Sequence, residues 1–337
     1  MENSFFAGAT TSRGFVNLYD GIVDRDNCTA FFVVKGGSGV GKSTMLKKIA
    51  ASLQDRCEVE YFRCSADTDS LDGIALPDKG IAMVDGTAPH VVESKYVCCT
   101  DWTIDLSTCL GYKVLQGQKS KLVGLNKDKS DSYRYAGDAI ASAGKIFDAT
   151  YRMTKDKIDY SAVLSLSHRL IEGADCSRKR ALFGYAITSL GEVYLPCKFS
   201  KKLYRLVGNR YARHIILDTI KALADVQGIK YQVFYSPLNP SVVCDLVFAD
   251  RVISTNPNFS ASDEAIIDAS AFLPSEPDVY SLQLSERRLI DWAVGQLQRA
   301  KALHAEIEKI YIPSVDFDEV NRITAETIEK VNTYLQK

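Results

Sequence analysis

Eight residues in the first third of the chain have the types and spacing of a phosphate-binding loop. Residues 36–43, GGSGVGKS, fit the pattern G-x-x-x-x-G-K-[ST]. Glycines allow a backbone to wrap closely around phosphate oxygens and to point its N–H groups inward. In this pattern Lys42 neutralises the β and γ phosphates, and the Ser43 hydroxyl binds Mg²⁺. The predicted nucleotide contacts are Gly36, Gly37, Ser38, Gly39, Val40, Gly41, Lys42, Ser43 and Thr44.

A second segment supplies a carboxylate for the same site. Residues 80–85, GIAMVD, have the composition of an apolar strand that ends in Asp85, as a Walker B segment does. At the end of a strand beside the phosphate-loop strand, Asp85 would hold Mg²⁺ through water. We therefore predict ATP and Mg²⁺ as ligands, Lys42 and Asp85 as catalytic residues, and Ser43 and Asp85 as metal ligands.

The reaction is less defined than the ligand. The guanine-reading N-K-x-D pattern is not matched by residues 126–129, NKDK, which lie in a lysine-rich stretch (113–134) that we interpret as a solvated loop. Gly86 follows Asp85, where many ATPases carry a glutamate that orients the attacking water. The candidates for that role are Glu93, His90 and Asp67. A Mg²⁺-dependent ATPase is the leading prediction. A small-molecule kinase and an ATP-gated binding module with little turnover remain open, as does the partner, a protein or a small molecule.

The chain repeats itself. Three pairs of segments match in the same order: 5–16 with 182–193, 61–76 with 232–248, and 143–163 with 300–320. Strands that alternate with helices predict a parallel, doubly wound sheet in each copy. Apolar residues at helical spacing in 135–173 and 286–335, broken at Pro313, predict a helical pair after each sheet. We expect tandem α/β P-loop NTPase-like units, at 1–176 and 177–337.

The second copy has a degenerate loop. Aligned on its core positions, LVGNRYARHI (206–215) places Arg213 at the position of Lys42 and His214 at that of Ser43. Asp85 falls near Ser254. Because phosphate and metal ligands are lost together, we predict one active site per chain and a structural or regulatory second unit. Three arginines of that unit could reach the first site as arginine fingers do, namely Arg205, Arg210 and Arg213.

Other polar residues occur in the first copy alone. Arg13 is replaced by Leu190, and the aspartates at 67 and 69 are replaced by Leu238 and Pro240. His90 falls roughly on Phe259. The hypothesis is that Arg13 contacts the nucleotide and that Asp67 or Asp69 contacts metal or substrate.

These motifs resemble those of a known family. Residues 65–90, SADTDSLDGIALPDKGIAMVDGTAPH, together with FFAGATTSRGF and KGGSGVGKST, are similar to a family of largely uncharacterised ATPases of Gram-positive, mostly spore-forming bacteria. Its members carry two P-loop-like halves. The resemblance covers most of the first half closely and the second half by its layout. It implies ATP binding and ATPase activity but no particular substrate, and the degenerate second loop argues against a mechanism that needs two active sites.

Composition limits the other possibilities. A chain of 337 residues suits two domains, and a net charge of -1 gives no overall attraction to nucleic acid or anionic membrane. No apolar run approaches the roughly 18 residues that span a bilayer. Residues 1–15 lack the features of a secretory signal, and the nine cysteines contain no CxxC pair. We expect a cytoplasmic protein with buried, reduced thiols.

Overall fold

The structure is a computed structural model that describes residues 2–88, 91–176 and 178–336. The chain forms two compact units. The loop unit comprises Ile22–Tyr135 and Gly295–Lys337, and the second unit comprises Met1–Gly21 and Ala136–Val294. Each unit combines an α/β sheet with helices, so the broad α/β prediction is confirmed.

Strands and helices of both units follow one another along the chain. The strands are β1 Asn3–Phe5, β2 Gly8–Thr11, β3 Gly14–Asn17, β4 Ala30–Lys35, β5 Glu60–Arg63, β6 Leu71–Leu76, β7 Ile81–Asp85, β8 Asp101–Asp105, β9 Arg180–Phe183, β10 Ala186–Thr188, β11 Gly191–Val193, β12 Cys197–Phe199, β13 Lys202–Val207, β14 Gln232–Tyr235, β15 Val243–Val247, β16 Arg251–Ser254, β17 Phe259–Ala261 and β18 Glu264–Asp268. The α-helices are α1 Lys42–Leu53, α2 Tyr112–Gln116, α3 Lys119–Lys155, α4 Tyr160–Ile171, α5 Arg210–Val226, α6 Tyr280–Tyr311 and α7 Phe317–Leu335. Short 3₁₀ turns occupy Tyr19–Gly21, Pro77–Lys79, Leu106–Cys109, Ala269–Phe272 and Ile312–Ser314.

The sheet of the loop unit is mixed. Its strands lie in the order β5-β6-β7-β4-β8, with β4 parallel to both of its neighbours and β6 antiparallel to β5 and β7. The predicted fully parallel sheet is therefore wrong at β6. The connections at 64–70 and 77–80 are too short for the crossover of a dozen or more residues that parallel neighbours need. The central β4 is buried and packs against the apolar face of α1.

The sheet of the second unit has the same plan. Its strands lie in the order β18-β13-β16-β15-β14-β9, with β13 parallel to β16 and β18, and with β15 antiparallel to its two neighbours. Both sheets have an irregularity at the same place, between Phe62 and Arg63 and between Phe234 and Tyr235. The last strand of each ends in an aspartate, Asp105 or Asp268, whose side chain caps a 3₁₀ turn.

The helical pairs are exchanged between the halves of the chain. In the second unit α4 packs on α5, and the Asp159 N–H donates to the carbonyl of Phe272 over 2.9 Å. In the loop unit α7 packs on α1, and the Asp316 N–H donates to the carbonyl of Cys109 over 2.8 Å. The compact units therefore differ from the predicted ranges 1–176 and 177–337, because α4 packs in the core of the second half's sheet and α7 in that of the first half's sheet, while α3 and α6 are each divided between the two units.

Residues 113–134, predicted to be a solvated loop, are mostly helical. They form α2 and the first part of α3. Their charges support a helix, since Asp131 and Arg134, three positions apart, form an ion pair of 3.0 Å. Across the described residues, no helix combines the length and apolar character needed to cross a membrane.

The cysteines are all free thiols, as expected, but not all are buried. Cys98 and Cys99 are exposed, and Cys57 and Cys64 are partly buried. Cys98 and Cys99 fall in irregular chain just before β8, where no core forms around them. The expectation of buried thiols therefore fails for this pair.

The start of α7 provides a stability test. The Asp316 carboxylate accepts a hydrogen bond of 3.0 Å from the Glu319 N–H. We expect Asp316→Ala to lower the free energy of unfolding by about 0.5–2 kcal/mol, because the helix N-terminus loses its cap. Asp316→Asn keeps an acceptor oxygen and should change the value little. Urea denaturation measures both, and equal losses in the two variants would show that capping is not the cause.

Candidate phosphate site

The predicted phosphate loop lies between a buried strand and a helix. β4 ends at Lys35 and α1 begins at Lys42, so residues 36–41 form the connection. Gly39 and Gly41 have φ values of 70° and 103°, which side-chain-bearing residues adopt at a cost of about 1–2 kcal/mol. Gly41 is the N-cap of α1 and leaves the first-turn N–H groups of the helix facing the loop. The loop therefore has the backbone conformation that its glycines suggested.

Lys42 and Asp85 come together at this loop. The Lys42 ammonium donates to the carbonyls of Gly36 and Gly37, both at 3.0 Å, and lies 3.7 Å from Asp85 Oδ2. The two side chains are 13% and 15% exposed, so water screens their attraction only weakly. The structure thus places both predicted catalytic residues at one site.

The sheet explains the position of Asp85. β7 runs parallel to β4, and the register sets Asp85 opposite Val34 at the edge where the loop begins. The Thr87 N–H donates to Asp85 Oδ1 over 2.8 Å, and the Thr87 hydroxyl donates to the Gly36 carbonyl over 3.3 Å. Thr87, which the sequence analysis did not single out, therefore joins the end of β7 to the loop.

Ser43 and Asp85 carry oxygen atoms of the kind that Mg²⁺ prefers as ligands. The Ser43 hydroxyl accepts a hydrogen bond of 2.9 Å from the Leu71 N–H, which fixes the hydroxyl at the start of α1. Within residues 2–88, 91–176 and 178–336, no three His, Cys, Asp or Glu side chains form a group able to hold a metal. A site with one hydroxyl and one carboxylate suits an ion that takes its remaining ligands from water and phosphate oxygens.

Other predicted residues have partners of their own. Arg13 belongs to the second unit, where its guanidinium donates to Ser241 Oγ over 2.9 Å. Glu93 is exposed and pairs with Lys35 over 2.5 Å. Their predicted roles stay predictions. His90 lies outside the described residues.

Asp67 is engaged by a residue that the sequence did not link to it. Its carboxylate accepts hydrogen bonds from Lys301 Nζ over 2.8 Å and from Ser70 Oγ over 2.7 Å. Burial acts to raise the pKa of Asp67, but these hydrogen bonds outweigh it and keep the pKa below its ordinary value. Asp67 is therefore an anion that holds a lysine of α6.

The C-terminal end of α6 contacts the phosphate loop. A Cβ atom on Gly37 would lie 3.2 Å from the Tyr311 ring, and one on Gly39 would lie 3.0 Å from Ile312 and 3.5 Å from Glu308. Sequence reasoning missed these residues because helical periodicity indicates which face is buried, not which part of the chain covers it. The signal that could have revealed them is a row of polar residues at helical spacing on α6.

The equivalent position in the second unit has no phosphate loop. β13 ends at Val207 and α5 begins at Arg210, which leaves only Gly208 and Asn209 between them. Asn209 Oδ1 accepts hydrogen bonds from the N–H groups of Tyr211 and Ala212, both at 3.1 Å. A side-chain amide thus occupies the helix N–H groups that a phosphate would use.

Two of the three candidate finger arginines, Arg205 and Arg210, have hydrogen-bond partners within the second unit. Arg205 donates to the carbonyls of Asn256 and Phe259, both at 2.7 Å. Arg210 pairs with Glu286 over 2.8 Å and with Glu192 over 3.1 Å. These bonds give both guanidinium groups structural roles, and a finger role for either one stays a prediction.

The second unit contains a buried carboxylate that feels the charge of Arg213. Asp245 is fully buried, and its Oδ1 accepts hydrogen bonds from Ser254 Oγ over 2.5 Å and from the Thr255 N–H over 3.0 Å. Burial nevertheless raises the pKa of Asp245 to about 6, while these hydrogen bonds and Arg213 act against it. The second unit therefore keeps a titratable group in its core.

The chain has no match among the known proteins with which it was compared. Family models, curated proteins and solved structures were each searched, and none matched. Function is therefore inferred from the geometry described above, and the family resemblance of residues 65–90 stays a prediction.

The backbone of the loop provides one test. We expect Gly39→Ala to lower the free energy of unfolding by about 1–2 kcal/mol, because the residue has a positive φ and Ile312 lies close by. Gly124→Ala, in α3 where no atom lies within 4 Å of the new Cβ, should raise it by about 0.5–1 kcal/mol. Chemical denaturation measures both, and a neutral Gly39→Ala would argue against the described loop conformation.

Asp245 provides a pH test. The pKa is raised in the folded state, so its contribution to stability is complete below the ordinary value of 3.8 and is lost as pH rises through about 6. Asp245→Asn removes that loss. The variant should therefore gain about 1–3 kcal/mol of unfolding free energy relative to the natural sequence between pH 4 and pH 8. A constant difference across that range would contradict the assignment.

Proposed function

We propose that the chain binds ATP with Mg²⁺ at residues 36–43 and hydrolyses it slowly. The observation that carries the proposal is the convergence of three groups at one edge of the sheet: the Lys42 ammonium, the Ser43 hydroxyl and the Asp85 carboxylate. These are the kinds of group that the phosphate-loop mechanism uses. The resemblance of residues 65–90 to a family of ATPases supports the same nucleotide.

The chain's own groups divide the work of binding. The loop N–H groups and the N-terminus of α1 would donate hydrogen bonds to the phosphate oxygens and offset their negative charge. The Lys42 ammonium would exchange the carbonyls of Gly36 and Gly37 for phosphate oxygens, which are stronger, charged acceptors. Ser43 and Asp85 would hold Mg²⁺, which neutralises phosphate charge when bound. We expect slow turnover because Gly86, not a glutamate, follows Asp85.

A single nucleotide site per chain fits the second unit best. Its short β13–α5 connection cannot surround a triphosphate, and Asn209 already caps α5. We infer a structural or regulatory role for this unit. The proposed tandem arrangement of P-loop NTPase-like units is supported by the shared strand order of the two sheets.

A second candidate is an ATP-gated binding module. It is favoured by the packing of Tyr311 and Ile312 against loop glycines, because a loop that reshapes around phosphate would press on α6. Under this proposal the helices transmit nucleotide occupancy to a protein or small-molecule partner, and turnover is incidental.

Replacement of Lys42 tests the site. We expect Lys42→Ala to weaken binding of Mg²⁺-ATP about 100-fold or more, because a buried charge-assisted contact to two phosphates is lost. Lys47→Ala, on the exposed face of the same helix, is the matched control and should bind as the natural sequence does. Titration calorimetry measures binding.

Phosphate release by the same proteins separates the candidate functions. Release by the natural sequence alone supports an ATPase. Tight binding with negligible release supports the gated module, and transfer only when a metabolite extract is added supports a kinase. Failure of the natural sequence to bind any nucleotide would overturn the proposal.

A further inference from the structure

One face of α6 presents polar residues to the phosphate loop. Lys301, His304, Glu308 and Tyr311 are spaced by three, four and three positions, which places them in one stripe along the helix. All four belong to the loop unit. The stripe comes from the second half of the sequence, whereas the loop comes from the first.

The stripe follows the loop from end to end. Its C-terminal residues, Glu308 and Tyr311, lie against Gly39 and Gly37. At its other end, Lys301 Nζ bonds Asp67, three residues before Ser70, and the Leu71 N–H that follows donates to Ser43 Oγ. Lys301 and Glu308 are seven residues apart, about 10 Å along a helix. Lys301 therefore lies at the Ser43 side of the loop.

Lys301 is the cation of this stripe. Burial, with the positive charge of Lys129, lowers the pKa of His304, so the imidazole is neutral at neutral pH. Burial also lowers the pKa of Lys129 on α3. The hydrogen bond to Asp67 raises the pKa of Lys301, whose side chain is 46% exposed and thus able to change partner.

We propose that Lys301 contacts the terminal phosphate of the bound nucleotide. Asp67 holds the Lys301 ammonium on the connection that leads to Leu71, the partner of Ser43, and the γ-phosphate, carrying more negative charge than one carboxylate, competes for it. The second half of the chain then supplies a cation to the first site, but from α6 and not from the arginines that the sequence suggested. This inference rests on the proposed ATP function.

A contact between Lys301 and the terminal phosphate would affect the binding of ATP and ADP differently. A contact to the third phosphate strengthens binding of a triphosphate and leaves a diphosphate unaffected. A charge-assisted hydrogen bond contributes a factor of about ten or more to affinity. Lys301 should therefore set the preference of the site for ATP over ADP.

The experiment compares Kd values for Mg²⁺-ATP and Mg²⁺-ADP by titration calorimetry on the full chain. We expect Lys301→Ala to weaken ATP binding about tenfold or more with ADP unchanged. Lys309→Ala is the matched control, since Lys309 lies on the same helix, is 70% exposed and pairs with Glu306. Lys301→Arg should keep most of the preference for ATP.

A second variant should change the affinity for ATP in the opposite direction. Asp67→Asn releases Lys301 from an ion pair that is partly exposed, so ATP binding should tighten about two- to fivefold. A purely structural Lys301–Asp67 pair would instead make both variants weaken ATP and ADP alike, and a metal or substrate role for Asp67 would make Asp67→Asn weaken ATP. Either result overturns the inference about Lys301 but leaves the proposal that the chain binds ATP standing. Failure of the natural sequence to bind either nucleotide would overturn the inference together with the proposed function.

Discussion

The parallel pairing of β4 with β7 is the constraint on which the candidate site depends. The register sets Asp85 opposite Val34, one strand away from the point where the loop leaves the sheet. Because β4 is buried on both faces from Ala30 to Val34, a slip by one residue would exchange the side chains that fill the core on the two sides of the sheet. The distance between Lys42 and Asp85 is therefore fixed by the core of the sheet. The loop adds only the curvature that glycine permits.

The sequence predicted the features that depend on interactions between residues close together in the chain. The glycine pattern, the buried strand before it and the helix after it were all sufficient to predict residues 36–43 as a strand–loop–helix connection, and an apolar strand ending in Asp85 was recognisable alone. The alignment of Asp159 with Asp316 predicted equivalent positions, and both proved to be helix caps. The antiparallel direction of β6 could also have been deduced from the sequence, because its connections are too short for a crossover. The alternation of strands and helices, by contrast, indicates a parallel strand.

Long-range packing was not available from the sequence. An apolar stripe on α7 looks the same whether it covers its own sheet or the other half's sheet, so the exchange of helical pairs could not be deduced from periodicity. The first part of α3 was missed for a related reason, since a helix that is polar on most faces lacks the periodic signal. Lys301 escaped notice because its partner, Asp67, lies on a connection far away in the sequence. Pairings of this kind become visible only in three dimensions.

The exchange of helices also sets an order for biosynthesis. A ribosome releases the first half of the chain, with its phosphate loop and β4, long before α7, whose residues fill the same core. During that interval the apolar face of α1 lacks the α7 side chains that cover it in the finished protein, and such surfaces recruit chaperones or aggregate. Residues 136–171, in contrast, must wait for a sheet not yet translated. The second unit is fully translated once Val294 has been added, so its core can form before the loop unit receives α7.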